Sequence, residues 1–113
     1  GKKEDKMRSD IEEMKKHFIE HVFCNGISDD KKKKKIFIFL LRLGSEVEGG
    51  GMTVEETVPC FKEFFSSANV ALSASDLIQQ VRERMDGEQK YSDKPSEKRR
   101  SDTIAIINQA LGP

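Results

Sequence analysis

The sequence predicts an all-α fold: a four-helix core bundle with a fifth, C-terminal helix joined to it by a charged linker. Three observations carry this reading. Apolar residues recur at spacings of three and four along most of the chain, as one stripe of a helix requires. Serine, threonine and glycine interrupt those stripes where helices characteristically start and stop. Only one segment, Ile36 to Leu41, is β-branched and aromatic enough to rival the helical reading as a strand.

Met7, Ile11, Met14, Phe18 and Val22 form the stripe of the first helix. Ser9 and Glu12 have the spacing of a capping box, although the helix can equally begin a turn earlier. Asn25-Gly26 supplies a left-handed stop, with Ile27 placed to fold back as its apolar contact. Ile19 and Phe23 lie on a different face, so this helix is expected to be covered on two sides. The second helix is expected from about Asp29 to Leu43, with Ser28 as N-cap and Gly44 as stop. Ser45 to Met52, which contains three consecutive glycines, reads as a loop. Thr53-x-x-Glu56 is a capping box for a third helix carrying Val54, Val58, Phe61, Phe64 and Phe65. Pro59 removes a hydrogen bond inside it, so the helix either bends there or begins near Thr57. Ser73 and Asp76 cap the fourth helix, and Leu72 can staple to Leu77. That helix shows Leu77, Ile78, Val81 and Met85 and stops at Gly87. The polar stretch GEQKYSDKPSEKRR then reads as a mobile linker, about residues 88 to 100. The fifth helix, about 101 to 111, carries Ile104, Ile106, Ile107 and Leu111 and ends at Gly112-Pro113. One domain follows, with its core spanning about residues 7 to 87 and the fifth helix free to close the bundle or to dock elsewhere.

A chain of 113 residues with 35% hydrophobic and 35% charged side chains supports one modest core. Its 20 basic side chains equal its 20 acidic ones, so no overall field attracts DNA or an anionic membrane, and any basic function must be local. Cys24 and Cys60 fit neither a Cys-x-x-Cys pattern nor a disulfide framework. A reducing intracellular compartment, nuclear or cytoplasmic, is therefore expected. The first residue is Gly1 with no signal-peptide layout after it, which reads as a domain of a larger protein.

Lys31, Lys32, Lys33, Lys34 and Lys35 set five ammonium groups directly against the apolar run Ile36 to Leu41. As a helix, that run is apolar all round, which means burial in a bundle or in a membrane. A membrane span needs about 20 apolar residues, and Arg42 interrupts after six, so no membrane is expected. The run is expected to be a central helix wrapped by the others. The lysines then occupy its first turns, where the helix dipole mildly disfavours cations. Three readings compete for them: a solvated helix start, a nuclear-import signal, or contact with a polyanion. No aromatic or amide side chains are interleaved to read bases, so nucleic-acid contact would be to backbone phosphates. Lys98-Arg99-Arg100 is a second, smaller basic cluster beside Glu97 and Asp102.

The sharpest chemical pattern is His17-x-x-Glu20-His21, the spacing of a zinc motif found in metalloproteases. His17 and His21 share a helical face, and Cys24 continues the line at i+7, giving His17, His21 and Cys24 as weak metal candidates. A pattern with two free positions arises easily by chance, and His21 at the margin of the stripe has a plain packing role. The expectation is no metal, no cofactor and no enzyme. No phosphate loop, nucleophile elbow or calcium loop is present. The function expected is a non-enzymatic interaction module that binds a partner's helix, or a second copy of itself, through an apolar surface between helices. Phe61, Phe64 and Phe65 read first as core filling; the alternative is that they line a groove between helices, and with Ile104, Ile107 and Leu111 they are then its candidate contacts. The alternative is a helical domain contacting nucleic-acid backbone through Lys31 to Lys35.

Overall fold

The computed structural model describes residues 2–87 and 97–112, with side chains described for 8–84 and 97–112. Five α-helices follow in order: α1 (Lys2–His21), α2 (Asp29–Glu48), α3 (Val54–Ala68), α4 (Ala74–Gly87) and α5 (Glu97–Leu111), with a 3₁₀ turn at Phe23–Asn25. The all-α expectation holds, and Ile36 to Leu41 lies within α2 rather than in a strand. The side chains of Met7 and Met85 and the linker residues 88–96 fall outside the described part.

Local chemistry sets most of the boundaries. α1 begins at Lys2, so Ser9 lies inside it rather than capping it. The chain leaves α1 through the 3₁₀ turn and reverses at Gly26, whose φ of 69° is the left-handed value expected there. Ser28 caps α2, its hydroxyl accepting from the Lys31 amide at 3.4 Å. Thr53 and Glu56 form the complete capping box of α3, with reciprocal bonds of 3.2 and 3.1 Å. Ser73 and Asp76 cap α4 in the same manner. Pro59 lies on the exposed side of α3, which continues through it from Val54 to Ala68. The missing amide deprives the Glu55 carbonyl of its usual donor, a loss that water can offset at an exposed position.

Two boundaries differ from expectation. Gly44 does not stop α2, which runs one further turn to Glu48. The stop is the triple glycine. The Gly50 amide donates to Val47 and the Gly51 amide to Glu46, a Schellman closure with Gly50 at φ 83°. A Lys-Arg-Arg sequence placed in the linker instead forms the first turn of α5, because Glu97 to Arg100 are helical.

The core gathers around Phe64. Its ring stacks on Phe39 of α2 at 4.1 Å and meets Phe18 of α1 and Phe23 edge-on at 5.8 and 4.9 Å. Aromatic pairs in these offset and edge-to-face arrangements gain beyond their buried area. Ile36, Phe37, Phe39 and Leu40 are buried, as a central helix requires, while Ile38 is 40% exposed. α5 closes the bundle. It packs against α2, α3 and α4 and buries Thr103, Ile106, Ile107 and Ala110. At Gly44 α2 and α5 approach closely: a Cβ there would collide with the Thr103 hydroxyl and lie 3.8 Å from the Arg99 carbonyl. Arg99 also pairs with Glu48 at 2.8 Å, so the contacts advance in opposite senses and α2 and α5 run antiparallel. Across α1 and α3 the ion pairs are Arg8 with Glu56 and Lys15 with Glu63, which makes those two helices parallel.

Candidate functional site

The basic end of α2 is built by a cap and a core. Ser28 fixes the first turn, and the buried Ile36 and Phe37 anchor the helix directly after the lysines. Lys31 and Lys34 are exposed, while Lys32, Lys33 and Lys35 are half-buried. Half-burial of lysine means a stem laid on neighbouring side chains with the ammonium kept in water. Lys35 does this over Phe18, its ammonium 5.6 Å from the ring centre. No described carboxylate pairs with any of the five.

Basic side chains elsewhere are paired in part. Arg8, Lys15, Arg42, Lys98 and Arg99 each meet a carboxylate within 3.1 Å. Arg84 of α4, which sequence reasoning passed over, lies 5.1 Å from the Phe37 ring. Phe37 follows Lys33 by one helical turn, so Arg84 adds a further cation beside the same edge. Its spacing from Leu77 and Val81 places it at the border of the buried stripe of α4. Which helix that border meets is decided only by the tertiary arrangement.

The metal candidates do not converge. His17 and His21 are both exposed, with ring centres 5.1 Å apart, and the Glu20 carboxylate lies 3.8 Å from His21 Nε2. Cys24 does not continue their line, because α1 ends at His21 and Cys24 sits in the 3₁₀ turn. Its thiol donates to the Ile19 carbonyl. Among the described residues no three His, Cys, Asp or Glu side chains are grouped to hold a metal ion.

The candidate partner face is largely inside the molecule. Phe61, Phe64 and Ile107 are fully buried, so a partner could reach them only by displacing a helix. Phe65, Ile104 and Leu111 are half-buried and pack at the edge of the same core. The physical reason is α5: by docking between α2, α3 and α4 it covers the apolar surface that a detached fifth helix would leave open. Of the second basic cluster, Lys98 pairs with Asp102 at 2.7 Å and Arg99 with Glu48.

A buried polar group lies between α1 and α3. The Lys15 ammonium donates to Glu12 and Glu63 at 2.8 Å each. Burial alone would disfavour its charge, but the two carboxylates outweigh that and raise its pKa. Cys60 lies beside them, and burial pushes its thiol up to about 11. A thiol held in that state is a poor nucleophile.

The chain matches no family model, no curated protein and no solved structure. Among the described residues no helix is long and apolar enough to cross a membrane.

Proposed function

We propose that the protein is a non-enzymatic helical module that holds a polyanion, the phosphate backbone of a nucleic acid, along the basic end of α2. One observation carries the reading: five consecutive lysines at the start of one helix meet no carboxylate among the described residues. The positive end of the α2 dipole and Arg84 add to the same field. No base-reading side chains are interleaved with the lysines, so contact is to phosphate and independent of sequence. Fluorescence anisotropy with labelled RNA and DNA tests this. Engaging about five phosphates predicts an affinity loss on the order of 10²–10³ between roughly 50 and 200 mM salt. Replacing Lys31 to Lys35 by Gln should abolish binding. Absent binding at low salt, or binding indifferent to those substitutions, overturns the proposal.

A second reading, a protein-interaction module of a larger protein, draws support from Ile38. It is the large apolar side chain left exposed among the described residues, and it sits one turn from both Lys34 and Arg42 on the outer face of α2. Self-association through that face would appear as a concentration-dependent mass in light scattering and be lost in Ile38→Glu.

A further inference from the structure

The chain has two histidines, and both stand exposed on one face of α1. His17 and His21 lie one turn apart, with ring centres 5.1 Å from each other. The buried stripe of α1 runs through Ile11, Met14 and Phe18. Lys15 and Ile19 border that stripe on the side of α3, where Lys15 meets Glu63. The histidines take the other border, toward the start of α2. The His17 ring centre is 6.0 Å from the Phe18 ring, over which Lys35 sets its ammonium at 5.6 Å. Phe18 therefore carries a lysine of α2 and adjoins a histidine of α1. The short connection from Val22 to Ser28 keeps the end of α1 beside the basic end of α2.

The charged neighbours of the pair are of both signs. On α1 they are Glu13, one turn before His17, Lys16, and Glu20, whose carboxylate lies 3.8 Å from His21 Nε2. The connection holds Cys24, and α2 contributes Lys35 with Asp29 and Asp30 in its first turn. Glu63 of α3 faces Lys15, on the far border.

We propose that the phosphate-binding surface continues from the α2 lysines across Phe18 onto α1, where His17 and His21, once protonated, take further phosphates of the same nucleic acid. This rests on the reading of the lysines as a polyanion site. An imidazole gains a second N–H donor and a positive charge as pH falls through about 6.5. Lysine keeps its charge far above that range, and carboxylates keep theirs below it, so histidine is what changes. The gain does not depend on the sum of the neighbouring charges, because protonation adds two positive charges whatever that sum is. Two imidazoliums this close repel each other, and a phosphate between them relieves the repulsion while accepting charge-assisted hydrogen bonds. Nucleic acid is then held more tightly in mildly acidic surroundings than at neutral pH.

The test is anisotropy with the same labelled RNA and DNA over a salt series, at about pH 7.5 and about pH 5.5. Affinity at low salt should rise at least about threefold at the lower pH, and the salt dependence should steepen by about 0.9 for each imidazole that reaches a phosphate. The His17→Gln, His21→Gln double variant should bind as the unaltered protein does at pH 7.5, which also reports that its fold is kept, and should show no gain at pH 5.5. Binding that is equal at the two pH values, or a gain that survives in the double variant, overturns this proposal and leaves the lysine site standing. Absent binding at both pH values overturns the lysine site and this extension with it.

Discussion

At the scale of single residues, Gly44 shows two effects opposed at one position. Alanine is the better helix former by about 1 kcal/mol. A methyl group there nevertheless collides with the hydroxyl of Thr103, which is fully buried and already donates to the Arg99 carbonyl at 2.7 Å. Overpacking of this kind costs about 1–3 kcal/mol, so Gly44→Ala should destabilise the protein in urea unfolding. Adding Thr103→Ala removes the colliding atom and leaves the Thr103 Cβ at an ordinary 3.5 Å, so the double variant should recover most of the loss. Cys60 makes a pH-dependent prediction. Its folded pKa of about 11 exceeds the ordinary 9.0, so above pH 9.0 the unfolded chain releases a proton that the folded chain keeps. Stability should fall from there up to about 11, by at most about 1.4 kcal/mol per pH unit. Lys15, also raised, begins to lose its contribution near its ordinary 10.5, at the top of that window. Cys60→Ala should flatten that window in urea titrations run on either side of pH 9.0. Neither residue's role was legible in the sequence. Gly44 after an apolar run reads as a stop, and only the arrival of Thr103, far along the chain, gives it another meaning.

At the scale of elements, the caps were the legible part. Ser28, Thr53 with Glu56, and Ser73 with Asp76 bond backbone within three residues, so their geometry is written locally. Helix ends were less legible where local signals competed, as at Gly44 against the glycines that follow it. The α2 lysines yield a prediction of their own. Like charges one to four residues apart repel, and cations oppose the dipole at a helix start. Replacing Lys31 to Lys34 by Gln should stabilise the fold slightly at low salt, by about 0.3 kcal/mol per residue in urea unfolding, and the gain should vanish at high salt. Lys35 is retained in this variant because its ammonium lies over Phe18. A drop in stability instead would show that the lysine stems themselves hold α2 against its neighbours.

At the scale of the whole molecule, the fold class was readable because period and punctuation agreed along the chain. The placement of α5 was not. Its apolar residues suit either a closing helix or a detached one, and the choice depends on the fit of Ile106, Ile107 and Ala110 against three other helices. The choice between core filling and an open groove for the aromatic residues turns on the same helix: Phe61 and Phe64 are buried, and would line a groove only if α5 lay elsewhere. A chain ended at residue 96 should therefore lose its cooperative unfolding transition and bind a hydrophobic dye, as a collapsed but unpacked state does. Retention of a sharp transition would show that α1 to α4 hold a core without the fifth helix. The basic end of α2 was legible as a run of lysines, whereas the lack of a carboxylate beside it among the described residues and its neighbour Arg84 emerge only from the packed helices.

The antiparallel seam between α2 and α5 also bears on how the chain is made. Gly44 and Thr103 leave the ribosome about sixty residues apart, which at bacterial or eukaryotic speeds is a delay of several seconds. Throughout that interval the greasy flank of α2 has emerged while its mate has not. Nascent copies crowded on one message would be drawn to each other there, so the molecule should lean on chaperones until α5 arrives to cover that flank.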